Sequence, residues 1–229
     1  MDEYRKTGII IGVLYIIGTI SGVLSAFLTG TVNNLNEYFV QIVSSKNIYI
    51  LGTIFILCMG FSLAFIPIIL YPILKRQNKI FALGYVVFRG AIETVTYIAI
   101  FGCMVLLLKI GQNYVVLMDP EKQQFINMGI LIVNFRQIIT NSTLFVFSIG
   151  AFIFYGILYK SKLIPVWLSI WGIIAIILHI TTGILILFEL QTETSMINSI
   201  MNFPIFLQEM VMAIWLIIKG FNKETNKKI

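Results

Sequence analysis

The segment IFALGYVVFRGAIETVTYIAIFGCMVLLL, residues 80–108, decides the fold, because it is apolar for long enough to cross a lipid bilayer. Its central stretch, FRGAIETVTY at 88–97, nevertheless carries an arginine and a glutamate four residues apart. A charged side chain near the bilayer centre costs about 2.5–3.5 kcal/mol, so such charges are expected to face the protein interior and to find partners there. The stretch therefore predicts both a membrane fold and the place of its polar centre.

The composition of the whole chain also favours a membrane fold. The 229 residues are 59% hydrophobic and 11% charged, whereas a soluble domain is roughly 45–50% apolar and about 25% charged. A soluble fold of this length has too little interior to bury that much apolar surface. The net charge of +6 does not indicate nucleic-acid binding, because the basic residues follow membrane topology. Cys58 and Cys103 form no CxxC, so they predict neither a disulfide framework nor a zinc site.

Six apolar runs are predicted to form transmembrane helices, which gives an all-α polytopic membrane helix bundle. The predicted spans are 8–29, 48–74, 80–108, 138–159, 166–188 and 203–220. The first run is too long for a secretion signal and no small-x-small cleavage site follows it, so it is predicted to be a helix. No connection is long enough for a soluble domain, so residues 1–229 are expected to form a single integral membrane domain.

Basic residues are distributed unequally between the two ends of the predicted spans. In a six-span arrangement, eleven lie at the end that holds both termini: Arg5, Lys6, Lys75, Arg76, Lys79, Lys160, Lys162, Lys219, Lys223, Lys227 and Lys228. Three lie at the opposite end: Lys46, Lys109 and Lys122. Because cytoplasmic loops carry the excess of lysine and arginine, both termini are predicted to be cytoplasmic. A five- or seven-span arrangement would place the two basic termini on opposite sides.

Local signals predict how individual helices begin and pack. Asn202 and Pro204 suit the start of the sixth span, and Pro165 suits the start of the fifth. The partly amphipathic segment 121–137 is expected either to lie along the outer surface or to extend the fourth helix outward. Two GxxxG motifs, GIIIG at 8–12 and GTISG at 18–22, predict close helix packing inside the bundle rather than dimerisation.

Helix geometry brings three charged residues of the spans together. Arg89 and Glu93 lie one turn apart on one face of the third span. Arg89 lies ten residues after Lys79, and Glu209 lies ten residues before Lys219, in each case about 15 Å of helix rise. Since the two spans run in opposite directions, Arg89 is expected at the depth of Glu209 and to bridge both glutamates through its five N–H donors. Two carboxylates against one guanidinium leave an excess negative charge, so one glutamate is expected to hold a proton.

Three tyrosines complete the predicted polar core. Tyr85 and Tyr97 share the helix face of Arg89. In the second span, Tyr71 follows Pro67 by one turn, and Pro67 frees a backbone carbonyl at a similar depth. A purely structural kink at Pro67 remains the alternative.

His179, the single histidine, is predicted to be a hydrogen-bonded packing residue in the outer half of the fifth span. A metal site would need His179 to meet both glutamates, and their depths argue against it. We therefore predict no metal, no cofactor and no catalytic residue.

Three stretches resemble an uncharacterised bacterial membrane-protein family, the domain of unknown function 4386 family. They are LYPILKRQNKIFALGYVVFRGAIE at 70–93, YGILYKSKLIPVWLSIWGI at 155–173 and PIFLQEMVMAIWLIIKGF at 204–221. The similarity extends over nearly the whole chain. It implies a multi-pass protein of the bacterial cytoplasmic membrane and supplies no activity. The polar residues of these motifs correspond to Tyr71, Arg89, Glu93 and Glu209.

Three classes of function stay open at this point. The first is a non-catalytic sensor, immunity factor or accessory subunit, in which the charged cluster binds a small ligand or only fixes the helix arrangement. The second is a small proton-coupled transporter, since ionisable residues inside membranes often mark proton paths. The third is an intramembrane enzyme that uses paired glutamates, against which stands the absence of HExxH, EExxxR, GxSxG and a nucleotide-binding glycine loop. The expected partners are the lipid bilayer and a small ligand or membrane protein, with no nucleic acid; the sequence does not fix the oligomeric state.

Overall fold

The computed structural model describes residues 3–118 and 120–222, which form helices joined by turns. The first three helices are Glu3–Thr29 (α1), Leu35–Ser44 (α2) and Lys46–Leu74 (α3). Helix α4 is continuous but changes its winding, from α-helical Lys79–Tyr85 through π-helical Val86–Ile92 to α-helical Glu93–Tyr114. The last three are Lys122–Ser161 (α5), Val166–Leu187 (α6) and Met196–Ile218 (α7). All except α2 are long and apolar enough to cross a membrane, so the all-α, six-span prediction is confirmed.

The GxxxG motifs of α1 are used for packing within the bundle, as predicted. A Cβ atom added at Gly12 would lie 2.5 Å from the carbonyl oxygen of Ala213 in α7. One added at Gly22 would lie 2.6 Å from the Met59 sulfur in α3. The glycines therefore let α1 lie in close contact with α3 and α7.

Contacts between chain segments assemble one end of the bundle, here called the basic end. Glu3 at the start of α1 pairs with Arg76 between α3 and α4, at 3.6 Å. The Asn222 side chain, after α7, donates to the carbonyl oxygen of Lys162 between α5 and α6, at 2.8 Å. Both described chain ends therefore lie at the basic end; three of the predicted basic residues, Lys223, Lys227 and Lys228, lie outside the described residues.

Helices α4 and α5 form an antiparallel hairpin that is longer than a bilayer is thick. The 40 residues of α5 rise about 60 Å, against a hydrocarbon core of roughly 30 Å. Helix α2, which lies in the connection between the first two predicted spans, packs on the far end of this hairpin. A Cβ atom at Gly129 of α5 would lie 2.5 Å from the Phe39 ring of α2. The segment 121–137 thus extends the fourth span, which was one of its two predicted arrangements.

The predicted start of the sixth span was wrong. Helix α7 begins at Met196, seven residues before the predicted 203, with Ser195 as its cap. The Ser195 hydroxyl accepts from the backbone N–H of Asn198 at 3.1 Å, which is the usual role of an N-cap serine. Pro204 lies inside the helix, and the Asn202 side chain bonds to a neighbouring helix instead of capping its own. Pro165 does precede the first residue of α6, as predicted.

Candidate polar site within the bundle

Arg89 lies in the π-helical section of α4, a feature that the sequence analysis did not predict. At the end of this section, the backbone N–H of Glu93 donates to the carbonyl oxygen of Phe88, five residues earlier. The Thr94 hydroxyl donates to the Gly90 carbonyl oxygen at 2.6 Å. Short π-helical sections inside α-helices occur frequently at functional sites.

Two neighbouring helices approach the backbone of the π-helical section closely. A Cβ atom at Gly90 would lie 3.2 Å from Pro67 of α3. A Cβ atom at Gly150 of α5 would lie 3.2 Å from the Arg89 Cβ and 3.3 Å from its backbone nitrogen. These contacts enclose Arg89, whose side chain is only 2% exposed.

Arg89 bridges the two glutamates, as the depth argument predicted. One guanidinium nitrogen, Nη1, donates to Oε1 of Glu93, one turn further along α4. The other, Nη2, donates to Oε1 of Glu209 in α7 at 3.2 Å. The Glu93 side chain is 1% exposed and that of Glu209 is 15% exposed. The bridge therefore joins the third and sixth spans inside the bundle.

The two oxygens of the Glu93 carboxylate have very different surroundings. Oε1 accepts from Arg89 and also from the Tyr97 hydroxyl, at 3.1 Å. Oε2 is enclosed and accepts no hydrogen bond from any residue that the structure describes. Burying a carboxylate oxygen without a donor is costly, so this atom marks a place where a donor is missing.

Aromatic residues lie near Arg89, and Phe147 among them was missed at the sequence level. The Arg89 Cζ atom lies 4.3 Å from the centroid of the Phe147 ring in α5, a cation–π contact. Tyr85 is buried and stacks on Phe154 with ring centroids 4.6 Å apart, and its hydroxyl interacts with Tyr15 of α1. Phenylalanine is too common in membrane spans for the sequence to single out Phe147.

A second pair of polar residues lies beside the charged cluster. The Tyr155 hydroxyl of α5 donates to Oε1 of Gln208 at 2.5 Å, and Nε2 of Gln208 donates to the carbonyl oxygen of Leu168 in α6 at 3.1 Å. Electrostatic interactions link Tyr15 and Tyr155 to both Arg89 and Glu209. The neighbouring residues Gln208 and Glu209 could have indicated this pair, but only Glu209 was included in the predicted polar core.

Tyr71 is not brought into the cluster by any contact of its side chain that the structure gives. Its ring lies 5.6 Å from the Lys75 amine, towards the basic end. Helix α3 contributes Pro67 instead, through the contact with Gly90. Of the six predicted polar-core residues, Arg89, Glu93, Glu209 and Tyr97 are therefore bonded together, Tyr85 lies beside them and Tyr71 lies apart.

His179 takes part in a separate hydrogen-bond cluster. Its Nδ1 lies 2.6 Å from Oδ1 of Asn202 in α7. Within residues 3–118 and 120–222, no three His, Cys, Asp or Glu side chains lie close enough to hold a metal ion together. His179 and the two glutamates thus form separate groups.

The far end of the bundle holds an acidic side chain with a perturbed environment. Burial raises the pKa of the Glu193 carboxyl, in the loop between α6 and α7, and the nearby Arg136 opposes this effect.

At the same end, a groove of about 510 Å³ is lined by Asn36, Glu37, Val40, Gln41 and Tyr114. This groove is remote from Arg89 and is formed largely by α2.

The charges of the Arg89 cluster do not balance if both glutamates are ionised. One guanidinium then faces two carboxylates, which leaves one excess negative charge in a buried place. Uncompensated buried charge is expensive, so the arrangement favours a proton or a cationic hydrogen-bond donor as an additional component. Chemically, it can bind such a donor or exchange a proton.

Comparison with known proteins gives a family without an assigned activity. Residues 10–220 match the family described as "Domain of unknown function (DUF4386)". No curated protein and no solved structure matches the chain.

Proposed function

Because the chain belongs to the domain of unknown function 4386 family, which brings no activity with it, we propose a function from the geometry of the site. The protein is a non-catalytic membrane sensor, immunity factor or accessory subunit. Its Arg89, Glu93 and Glu209 centre binds a small polar ligand that donates a hydrogen bond. A proton on one of the two carboxylates would instead remove the excess negative charge.

The observation that carries this proposal is the enclosed Oε2 atom of Glu93, which lacks a donor among the described residues. Its partner oxygen Oε1 has two donors, so the carboxylate is held firmly and only one of its acceptor atoms is left for a ligand. A ligand with one cationic N–H group matches the excess negative charge.

The proposed location is the cytoplasmic membrane of a bacterium, with the basic end in the cytoplasm. The support for this orientation is the concentration of basic side chains around both described chain ends, which the positive-inside rule assigns to the cytoplasm. The bacterial origin rests on the family resemblance alone.

Thermal unfolding of the purified protein in detergent tests the ligand proposal, with methylammonium chloride as the probe. Methylammonium is expected to raise the melting temperature of the wild-type protein, because binding to the folded state alone stabilises it. Tetramethylammonium carries the same charge but no N–H donor and is expected to raise it less. Glu93→Gln keeps the size of the side chain and is expected to abolish the difference between the two probes.

Two results would count against ligand binding at this centre. One is an equal effect of methylammonium and tetramethylammonium on the wild-type protein. The other is an unchanged difference in Glu93→Gln, which would place the probe elsewhere.

A proton-coupled transporter is the second candidate, and the excess negative charge favours it. A centre that alternates between one proton and none would bind and release that proton on opposite sides of the membrane. Purified protein in vesicles that contain a pH-sensitive dye tests this idea. Transport predicts a dye response to an imposed gradient that Glu209→Gln abolishes; no response under any gradient argues for the non-catalytic function.

A further inference from the structure

A second polar cluster, here called the His179 cluster, lies between α6 and α7 and touches the Arg89 centre through one side chain. It consists of His179 and Thr182 of α6 with Asn198 and Asn202 of α7. The Phe147 ring packs against the His179 ring, with centroids 5.1 Å apart and planes at 82°. The Arg89 guanidinium lies over the same Phe147 ring.

The hydrogen bonds of this cluster have a fixed direction, because they begin at a backbone carbonyl that can only accept. Nδ2 of Asn198 donates to the carbonyl oxygen of Glu193 at 2.6 Å. This sets the orientation of the Asn198 amide, whose Oδ1 accepts from Nδ2 of Asn202 at 2.8 Å. The Oδ1 atom of Asn202 therefore faces His179. Reversing either amide would set two acceptors or two donors against each other.

The direction of this chain determines the tautomer of His179. An oxygen 2.6 Å from Nδ1 requires a proton on that nitrogen, since both atoms would otherwise present lone pairs. In the neutral ring, Nε2 then carries the lone pair. No described residue donates a hydrogen bond to Nε2, and it is not among the enclosed atoms without partners. His179 is thus held with a basic nitrogen available.

We propose that Nε2 of His179 is a proton-binding site whose charge state is linked to the Arg89 centre. A proton from water forms the Nε2–H bond as the O–H bond breaks, and the imidazolium keeps its Nδ1–H donation to Asn202. The groups around the ring are Phe147 from α5, Asn202 from α7 and, within electrostatic range, the Arg89 cation from α4. Protonated His179 and Arg89 are two cations in a low-dielectric interior, so each charge affects the other.

This inference does not depend on a ligand at Glu93. It concerns a ring nitrogen of His179 rather than an oxygen of Glu93, and it follows from hydrogen-bond direction and from the contacts of Phe147. It adds a second proton-binding group in the half of the bundle that leads to the far end.

Nitrogen-15 NMR of the histidine ring tests the inference directly, because His179 is the only histidine of the chain. The full chain is labelled with ¹⁵N-histidine, purified through a tag without histidine and placed in lipid nanodiscs. At alkaline pH the spectrum is expected to show a protonated Nδ1 and an unprotonated Nε2. Acidification is expected to protonate Nε2 while Nδ1 keeps its proton. If the neutral His179 ring of the wild-type protein carries its proton on Nε2 at alkaline pH, the proposal is overturned. This result requires only the wild-type protein.

Two variants test the assigned cause and the linkage. Asn202→Leu removes the acceptor and is expected to shift the ring towards the Nε2–H tautomer, whereas Asn127→Leu, at an exposed position of α5, is expected to leave it unchanged. Glu209→Gln removes a negative charge beside Arg89 and is expected to lower the pH at which His179 titrates. An identical titration in Glu209→Gln and wild-type protein contradicts the linkage.

Discussion

The Arg89 guanidinium donates to the Glu209 carboxylate at 3.2 Å, across 120 residues of sequence. This contact joins α4 to α7, and the Glu93 carboxylate shares the same guanidinium. Breaking one partner of a buried ion pair typically costs about 3–5 kcal/mol, because the remaining charge loses its compensation. The relationship therefore makes the helix arrangement depend on charge as well as on apolar packing.

Substitutions at Glu209 are expected to show this dependence. Glu209→Arg places two cations together and is expected to destabilise the protein more than Glu209→Gln, which leaves a hydrogen-bonding group at the site. The double variant Arg89→Glu with Glu209→Arg restores an opposite pair and is expected to recover part of the lost stability. Melting temperatures in detergent, measured beside both single variants, give the comparison. An Arg variant no worse than the Gln variant, together with no recovery in the double variant, would refute the pairing.

Loss of the Tyr97 hydroxyl is expected to weaken the hold on Glu93. Tyr97→Phe removes one of the two donors to Oε1, which is expected to cost about 1.5–3 kcal/mol because hydrogen bonds to charged groups are the stronger ones. Tyr159→Phe, at an exposed tyrosine of α5, is the matched control and is expected to change little. Chemical unfolding in mixed micelles measures both variants. Equal stability of the two variants would show that the Tyr97 hydroxyl contributes nothing.

The close approach of α5 to the π-helical section is expected to be sensitive to side-chain volume at Gly150. Gly150→Val forces atoms against the Arg89 backbone and is expected to cost about 1–3 kcal/mol by overpacking. Gly156→Val in the same helix is the control, since a Cβ there would have no neighbour within 4 Å. The two variants share the same change in helix propensity, so the difference between their melting temperatures isolates the contact. If Gly156→Val proves as damaging as Gly150→Val, the contact is not what requires glycine.

Glu193 is expected to make stability depend on pH. Burial raises the pKa of this carboxyl in the folded protein, so the folded state binds the proton more tightly than the unfolded chain does. Its ionisation therefore lowers stability as pH rises from the unfolded pKa through the folded pKa. Below both values the effect vanishes.

The measurement compares melting temperatures of wild-type protein and Glu193→Gln from acidic to neutral pH. The melting temperature of the variant is expected to rise relative to that of the wild type as pH rises, because glutamine does not ionise. Glu189→Gln, at an exposed position of the same loop, serves as the control and is expected to show a smaller change. A difference between wild type and Glu193→Gln that does not vary with pH, or that grows towards acid, contradicts the expectation.

The sequence predicted the parts of this structure that depend on periodicity and length. Six long apolar runs require six spans, and equal counts from Lys79 to Arg89 and from Glu209 to Lys219 placed two charges at one depth. The π-helical winding of Val86–Ile92 was not predictable in this way, because the length and apolarity that predict a span do not distinguish π-helical from α-helical turns.

Other features depended on neighbours that a single sequence does not reveal. Asn202 and Pro204 had the composition of a helix start, but Ser195 lies earlier and caps the helix. Tyr71 was placed one turn from Pro67, whose estimated depth matched that of Arg89, yet depth along a helix says nothing about the direction of a side chain. Phe147 contacts Arg89 only because α5 lies beside α4.

An experimental density map of the membrane-embedded protein tests whether Glu93 Oε2 is the ligand-binding atom of the centre formed by Arg89, Glu93 and Glu209. We predict density for a bound molecule or ordered water within hydrogen-bond distance of that oxygen, with Arg89 between the two glutamates. A map in which protein side chains alone satisfy Oε2, or in which Arg89 is separated from Glu209, would contradict it.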